Sequence, residues 1–376
     1  MRVLVTVTGS PSHVNAVRPL ASALATAGHQ VLVAAPARLL APLAGLPLRL
    51  EPLLVDPLVT VDRDAGPSEE LVLEIFAGPH VTDSYHALLP VAREFGPQLV
   101  IRDGGEFAGY LVAETLGVPH LSAPSGAANH LDPVALLPHL NQRRADLDLP
   151  PEPDPAAVHR HGRLDCMPAG LSFAGHPGGI FHRYRQPTEV DPNTVLPEWI
   201  AELPADQPLV LASLGTVLPF VPTVGLDPVG LLGAIATGLA ELDCQAVIAT
   251  GGLPVDLPSL PTDRVHLVDS MPQPLLLRCA QLLLTHGGYN SIREAVGAGV
   301  PMAVLPCFGD QPANADRVEQ LGLGLRIPAP ADVAATCHRV LTDPAHTANS
   351  RRAQRRMLAL PPIQGAIADL EKLVRG

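Results

Sequence analysis

The sequence predicts an α/β protein made of two parallel-sheet halves, and three observations carry that prediction. Short apolar runs of strand length alternate with segments of helical period. The alternation occurs as two separate series, one at the start of the chain and one from about residue 209. Between them lies a proline-punctuated stretch without periodicity. A length of 376 residues suits two to three domains, and 47% hydrophobic residues supply a sizeable core.

In the first series Val3–Val7 reads as a buried strand, followed by a loop over Gly9–His13. A helix is predicted from Val14 to Ala27, because Val14, Val17, Leu20, Ala21 and Leu24 share one face. Gly28-His29 closes it, and Gln30–Ala35 is the next strand. Such a βαβ opening implies parallel pairing with a right-handed crossover. Gln98–Arg102 then reads as a strand, Phe107–Leu116 as a helix and Val118–Ser122 as a strand. From about Gln186 to Pro208 the chain turns irregular, with Pro187, Pro192, Pro197, Pro204 and Pro208. Each proline fixes its own φ, so this is a semi-rigid linker candidate. The second series has strands at Leu209–Ser213, Ala246–Thr250, Val265–Val268, Leu282–Thr285 and Met302–Leu305. Its helices are Pro228–Leu242, Gly288–Gly297 and Pro312–Leu321, and two more helical stretches, Asn349–Leu360 and Ala366–Val374, are separated by Pro361-Pro362.

Composition narrows the function classes. Net charge is −12, and no stretch is basic enough to follow a phosphate backbone, which argues against nucleic acid and anionic membranes as partners. The 42 prolines and 32 glycines stay below the roughly 25–30% at which disorder becomes the better reading. Cys166, Cys244, Cys279, Cys307 and Cys337 are scattered without a C-x-x-C pair, so neither a disulfide framework nor a zinc site is expected and a reducing cytoplasm fits. The N-terminal run lacks a signal-peptide pattern, and no apolar run approaches the roughly 20 residues of a membrane span.

The first strand-to-helix turn, Thr8-Gly9-Ser10-Pro11-Ser12-His13, has one glycine where a dinucleotide fingerprint needs three. It does carry His13 just past the end of the first strand. In an open α/β sheet that edge faces the ligand crevice, and a histidine there can serve as a general base. An isolated histidine in such a turn is more often an ordinary surface residue. Asp103 follows the strand Gln98–Arg102 and should emerge at the same edge, where it could orient the imidazole.

The richest stretch is His286-Gly287-Gly288-Tyr289-Asn290-Ser291-Ile292-Arg293-Glu294. It follows a buried strand and opens a helix, so the first helical N–H groups face an anion and the two glycines let it approach. His286 and Ser291 add side-chain donors, and His286 is expected to give a local positive potential. Asn290 and Glu294, four residues apart, share a face, and a carboxylate there suits vicinal hydroxyls such as those of a ribose. Asp310-Gln311 after Met302–Leu305 suits a polyol such as a sugar, or else caps the helix that follows. Ser213-Leu214-Gly215-Thr216 can bond a phosphate, though weakly diagnostic alone.

Taken in order, residues 268–325 (VDSMPQPLLLRCAQLLLTHGGYNSIREAVGAGVPMAVLPCFGDQPANADRVEQLGLGL) strongly resemble the donor-binding signature of family 1 glycosyltransferases. The strand–loop–His–helix–Gly-His–strand pattern of Val3–Val33 resembles the same family's opening. The resemblance implies a GT-B fold, two Rossmann-like α/β domains facing a central cleft. It implies an acceptor domain over 1–195, a linker over 196–207, a nucleotide-sugar domain over 208–358, and a C-terminal helix over 359–376 that packs back on the N-terminal domain. Carried over by resemblance, His286 meets the α-phosphate. Gly287, Gly288, Asn290 and Ser291 line the phosphates, and Glu294 the ribose. Asp310 and Gln311 meet the sugar, Met271 pairs the base through its backbone, and Ser213, Gly215 and Thr216 form the other phosphate loop. His13 matches the catalytic base and Asp103 its supporting carboxylate. The chain departs from the pattern at Ser12, where the family has Gly, at Ala16, where it has Pro, and at Ser270, where an aromatic often stacks on the base.

The resemblance therefore implies an inverting glycosyltransferase that uses a TDP- or UDP-sugar as co-substrate, with no other cofactor and no metal. The apolar, proline-rich N-terminal half with 3% aromatic residues fits a hydrophobic small-molecule acceptor better than a polysaccharide, and a secondary-metabolite tailoring enzyme, such as one acting on polyketides, is the leading reading. A catalytically silent donor-fold helper and a nucleotide-sugar 2-epimerase are the alternatives, and a homodimer is left open.

Overall fold

The computed structural model describes residues 1–57, 69–176, 179–188, 190, 193–216, 226–255, 257, 261 and 263–376. Pro192 of the linker stretch lies outside them. The chain divides into two compact units, Met1–Pro187 with Leu360–Gly376, and Thr188–Ala359.

The first unit carries strands β1 (Arg2–Thr6), β2 (Gln30–Ala34), β3 (Arg49–Glu51), β4 (Leu99–Arg102), β5 (His120–Ser122), β6 (Arg163–Asp165) and β7 (Phe181–Arg183) in one parallel sheet, ordered β3-β2-β1-β4-β5-β6-β7. Its helices are α1 (Pro11–Thr26), α2 (Glu69–Ala77), α3 (His80–Phe95), α4 (Ala108–Leu116), α5 (Gly126–His130) and α6 (Pro133–Asp146). Alternate side chains of the strands feed two cores. Val3, Val5, Val31, Val33, Leu99 and Ile101 pack with Val17, Leu20 and Leu24 of α1 on one face, while Leu4, Leu32 and Val100 pack with Leu88, Leu111 and Val112 on the other. Burial on both faces explains why the strands read as continuous apolar runs.

The second unit has β8 (Leu209–Ser213), β9 (Gln245–Ala249), β10 (Val265–Val268), β11 (Leu282–Thr285), β12 (Met302–Val304) and β13 (Gly324–Arg326), ordered β10-β9-β8-β11-β12-β13 and again parallel. Its helices are α7 (Glu198–Ala201), α8 (Pro228–Ala240), α9 (Gln273–Leu276), α10 (Tyr289–Ala298), α11 (Gln311–Gln320), α12 (Val333–Thr342) and α13 (Pro344–Leu358). The last helix, α14 (Ile363–Arg375), belongs to the first unit, where Ile363, Ala366, Ile367 and Leu370 join the core beside α1. The Arg185 N–H donates to the Pro361 carbonyl (2.7 Å) to seat it.

The division at Pro187 falls earlier than the sequence-based boundary at 195. Gln186 is what holds the chain to the first unit: it is buried, and its side chain bonds Ala16 O (3.0 Å), Cys166 Sγ (3.1 Å) and Tyr184 OH (3.0 Å). Downstream, the Trp199 ring of α7 lies 4.9 Å from that of His266 on β10, so this part of the expected linker packs as a piece of the second unit. No described helix is long and apolar enough to cross a membrane.

The interior of the first unit buries neutral histidines. Burial pushes His120 down to about 4 despite the neighbouring Glu114, and pushes His159 down to about 2, with Arg102 and Arg163 adding to it. In an unfolded chain both would protonate near 6.5. The unfolded state then binds more protons below that pH. Stability from these rings is full above about 6.5 and is lost as pH falls toward about 4. Thermal melts should shift downward between pH 7 and pH 5, with a slope approaching about 1.4 kcal/mol per pH unit for each ring.

Candidate functional site

Each sheet has one place where successive connections run in opposite directions, between β1 and β4 in the first unit and between β8 and β11 in the second. Loops diverge at the carboxyl ends of those strands and leave a crevice. His13 and Asp103 fall at the first of these places, and Ser213, Gly215 and His286 at the second.

In the first unit the turn after β1 leads into α1, with Ser10 at the N-cap and Pro11 at the first helical position. His13 sits in that first turn, and its Nδ1 lies 2.9 Å from Asp103 Oδ2. Asp103, just past β4, is fully buried while His13 is 17% exposed. Burial alone would raise the Asp103 carboxyl. The adjacent His13, its hydrogen bond, and those of Ser125 and Gly105 outweigh burial and hold it below the usual range. A carboxylate on Nδ1 selects the tautomer that puts the basic lone pair on Nε2. Two residues that sequence reasoning passed over shape the ring's pocket. Gly9, at φ +80, lets the imidazole lie against the backbone; a Cβ there would come within 3.1 Å of His13 Cε1. Phe76 of α2 stacks on the ring at 6.5 Å between centroids. The departures at Ser12 and Ala16 are accommodated: the Ser12 hydroxyl pairs with that of Ser10 (2.7 Å), and the Ala16 carbonyl accepts from Gln186.

In the second unit, His286 follows β11 and is half-buried between two glycines. A Cβ at Gly215, after β8, would lie 2.6 Å from its Cε1, and one at Gly288 would lie 2.5 Å from its Nε2. Gly215 and Gly287 also hold positive φ, +79 and +90. The Gly215 N–H donates to Ser213 Oγ (3.2 Å) and the Gly287 N–H to Thr285 Oγ1 (3.2 Å). Burial pushes the imidazole down to about 4, with the Ser213 backbone opposing slightly. At neutral pH His286 is thus an uncharged donor, which corrects the expectation of a positively charged side chain. The positive potential at this corner comes from the start of α10, where Gly288 is an N-cap without a side-chain cap.

The other candidates gather around that helix. The Gln273 amide, opening α9, donates to Ser291 Oγ (3.3 Å) and Glu294 Oε2 (2.8 Å), tying the Met271 segment to α10. Burial raises the Glu294 carboxyl, opposed by Gln273 and Arg293. Asp310 occupies the N-cap of α11 without making a capping bond. Its carboxylate accepts from Asn314 (2.8 Å), whose amide also reaches Gly287 O (2.9 Å). Gln311 is buried, and its Oε1 accepts the N–H groups of Cys307 (2.8 Å) and Phe308 (3.0 Å); that oxygen shapes the loop. Thr216 is exposed at the end of the described loop. Gln273 and Asn314 lie within the motif-bearing stretch, but nothing in their spacing marks them as the braces they are.

Comparison with known proteins bears on this arrangement. Residues 234–373 match the family described as erythromycin biosynthesis protein CIII-like, C-terminal domain. The chain is 29% identical to L-demethylnoviosyl transferase of Streptomyces niveus over 94% of this chain and 93% of that one. It is 25% identical to 3-alpha-mycarosylerythronolide B desosaminyl transferase of Saccharopolyspora erythraea, over 100% and 99%. The chain is a glycosyltransferase of the GT-B fold. Its backbone superposes on the Streptomyces sp. SF2575 glycosyltransferase SsfS6, solved with thymidine diphosphate, at a TM-score of 0.75, with 24% identity and 99% of each chain covered. In this glycosyltransferase the matched region holds the donor candidates from Met271 to Gln311, whereas Ser213, Gly215, Thr216, His13 and Asp103 precede it.

Proposed function

We propose that this glycosyltransferase moves a hexose or deoxyhexose from a TDP- or UDP-sugar to a hydroxyl of a hydrophobic small molecule, with inversion at the anomeric carbon. The observation that carries the reading is the pair of switch-point sites, His13 on Asp103 (2.9 Å) in one unit and the glycine-flanked His286 in the other. His13 Nε2 takes the proton of the acceptor hydroxyl as its oxygen bonds to C1. The bond from C1 to the phosphate oxygen breaks, and its electron pair leaves with the nucleoside diphosphate. Asp103 stabilises the imidazolium that forms. The leaving charge falls on the N–H groups at the start of α10 and on the imidazole of His286, which can protonate as charge develops beside it. Glu294 and Gln273 are the ribose-side pair, and Asp310 with the Gln311 amide faces the sugar hydroxyls. Relatives over the whole chain are named for transferring desosaminyl and demethylnoviosyl groups, one of them to an erythronolide, which supports a polyketide scaffold as acceptor, and the similar SsfS6 structure with thymidine diphosphate supports TDP as carrier.

The test is a nucleotide screen by thermal shift followed by turnover assays. TDP and UDP should raise the melting temperature by mass action, NAD should not, and transfer to aromatic or polyketide aglycones should proceed unchanged in EDTA. Donor hydrolysis or epimerisation with no acceptor glycosylated would overturn the reading.

A further inference from the structure

We propose that Arg38 is a positioning residue for the reaction, clamping the turn that carries the general base. The inference rests on the role proposed for His13. Arg38 lies just past β2, in a short 3-10 turn. One of its terminal nitrogens donates to the Gly9 carbonyl (2.6 Å). The same guanidinium grips the Asp56 carboxylate through Nε and Nη2, the latter bond 2.9 Å, with Asp56 lying beyond β3. The imidazole of His13 rests on Gly9, all three of its nearest ring atoms within 3.3 Å of where a Cβ would be, and its Nδ1 is held by Asp103.

These contacts form one line across four neighbouring strand ends, β3, β2, β1 and β4: Asp56 to Arg38, Arg38 to Gly9, Gly9 under His13, and His13 to Asp103. Gly9 has the least conformational restraint of its own, so the wall behind the imidazole is as firm as whatever fixes the Gly9 carbonyl. A charge-assisted bond from a planar fork, itself oriented by a bidentate carboxylate, is well suited to that. The pair is a poor candidate for a stability device. Arg38 is 40% exposed, and ion pairs at such exposure contribute little to stability. Its arrangement makes better sense as control over ring placement, where an error of an ångström can cost about a hundredfold in rate.

The experiment compares Arg38→Ala, Arg38→Lys and Asp56→Asn with His13→Ala, measuring kcat, the KM for sugar nucleotide and the melting temperature. Arg38→Ala should lose roughly ten- to a hundredfold in kcat with the nucleotide KM and the melting temperature little changed. Millimolar methylguanidinium should restore part of that loss. Arg38→Lys should stay impaired, because an ammonium cannot bond Gly9 and Asp56 in the same planar geometry, and Asp56→Asn should show a smaller loss in the same direction. An unchanged kcat in Arg38→Ala, or a loss that follows the melting temperature and resists methylguanidinium, would overturn the proposal. Full turnover in His13→Ala would instead remove the general-base reading on which it stands.

Discussion

His13→Ala is expected to lower kcat by about 10²- to 10⁴-fold, the range over which a positioned general base acts, while sugar-nucleotide affinity stays at the wild-type level. The two effects separate because the histidine and the donor corner belong to different units. Asp103→Asn should reproduce much of the loss. An amide can accept from Nδ1 but cannot stabilise an imidazolium as a carboxylate does. It also leaves a buried polar group where His13, Ser125 and Gly105 now support a charge, so part of its effect will be on stability and a melting curve must accompany the kinetics. The kinetic signature is a fall in kcat and kcat/KM together, the pattern of an interaction made in the transition state. A variant that kept turnover would move the proton to another acceptor.

The second large effect concerns donor binding. Gly215→Ala should weaken TDP or UDP binding by more than about tenfold, or about 1.4 kcal/mol, as measured by calorimetric titration. The added methyl would sit 2.6 Å from the His286 ring, and the backbone there holds φ +79. Displacing the imidazole removes the phosphate donor; the backbone strain only destabilises the fold. Gly28→Ala separates the two. Gly28 holds φ +86 with nothing within 4 Å of the added carbon, so it should lose stability to a similar degree while binding nucleotide normally. Equal affinity in Gly215→Ala and the wild type would mean that His286 does not touch the diphosphate.

Much of this was legible in the residues, for identifiable reasons. The strands beside each switch point are buried on both faces and read as short apolar runs, so β1, β8 and β11 could be placed within a residue or so. His13 and Asp103 could be paired in advance because both follow strands that end at the same sheet edge. What resisted reading was of two kinds. Short strands with little apolar signal, such as β3 with two charged residues, Arg49 and Glu51, and β6 with Arg163 and Asp165, look like loop; tertiary pairing makes them strands. Braces also escaped notice. Gln186 fixes the unit boundary through three side-chain bonds, Gln273 ties the base-side segment to α10, and Arg38 reaches Gly9 from 29 residues away. Such contacts have no period or spacing along the chain, because they depend on where folding brings distant loops. The protonation state of His286 is a similar case, decided by the depth of burial between two glycines.

The most direct test of the account is a crystal structure with thymidine diphosphate bound. Both phosphates should lie at the start of α10, within hydrogen-bond distance of the His286 imidazole and the N–H groups that follow Gly288, with the ribose toward Glu294. Nucleotide bound elsewhere, with side chains filling the space between Gly215 and Gly288, would contradict the donor site and with it the proposed chemistry.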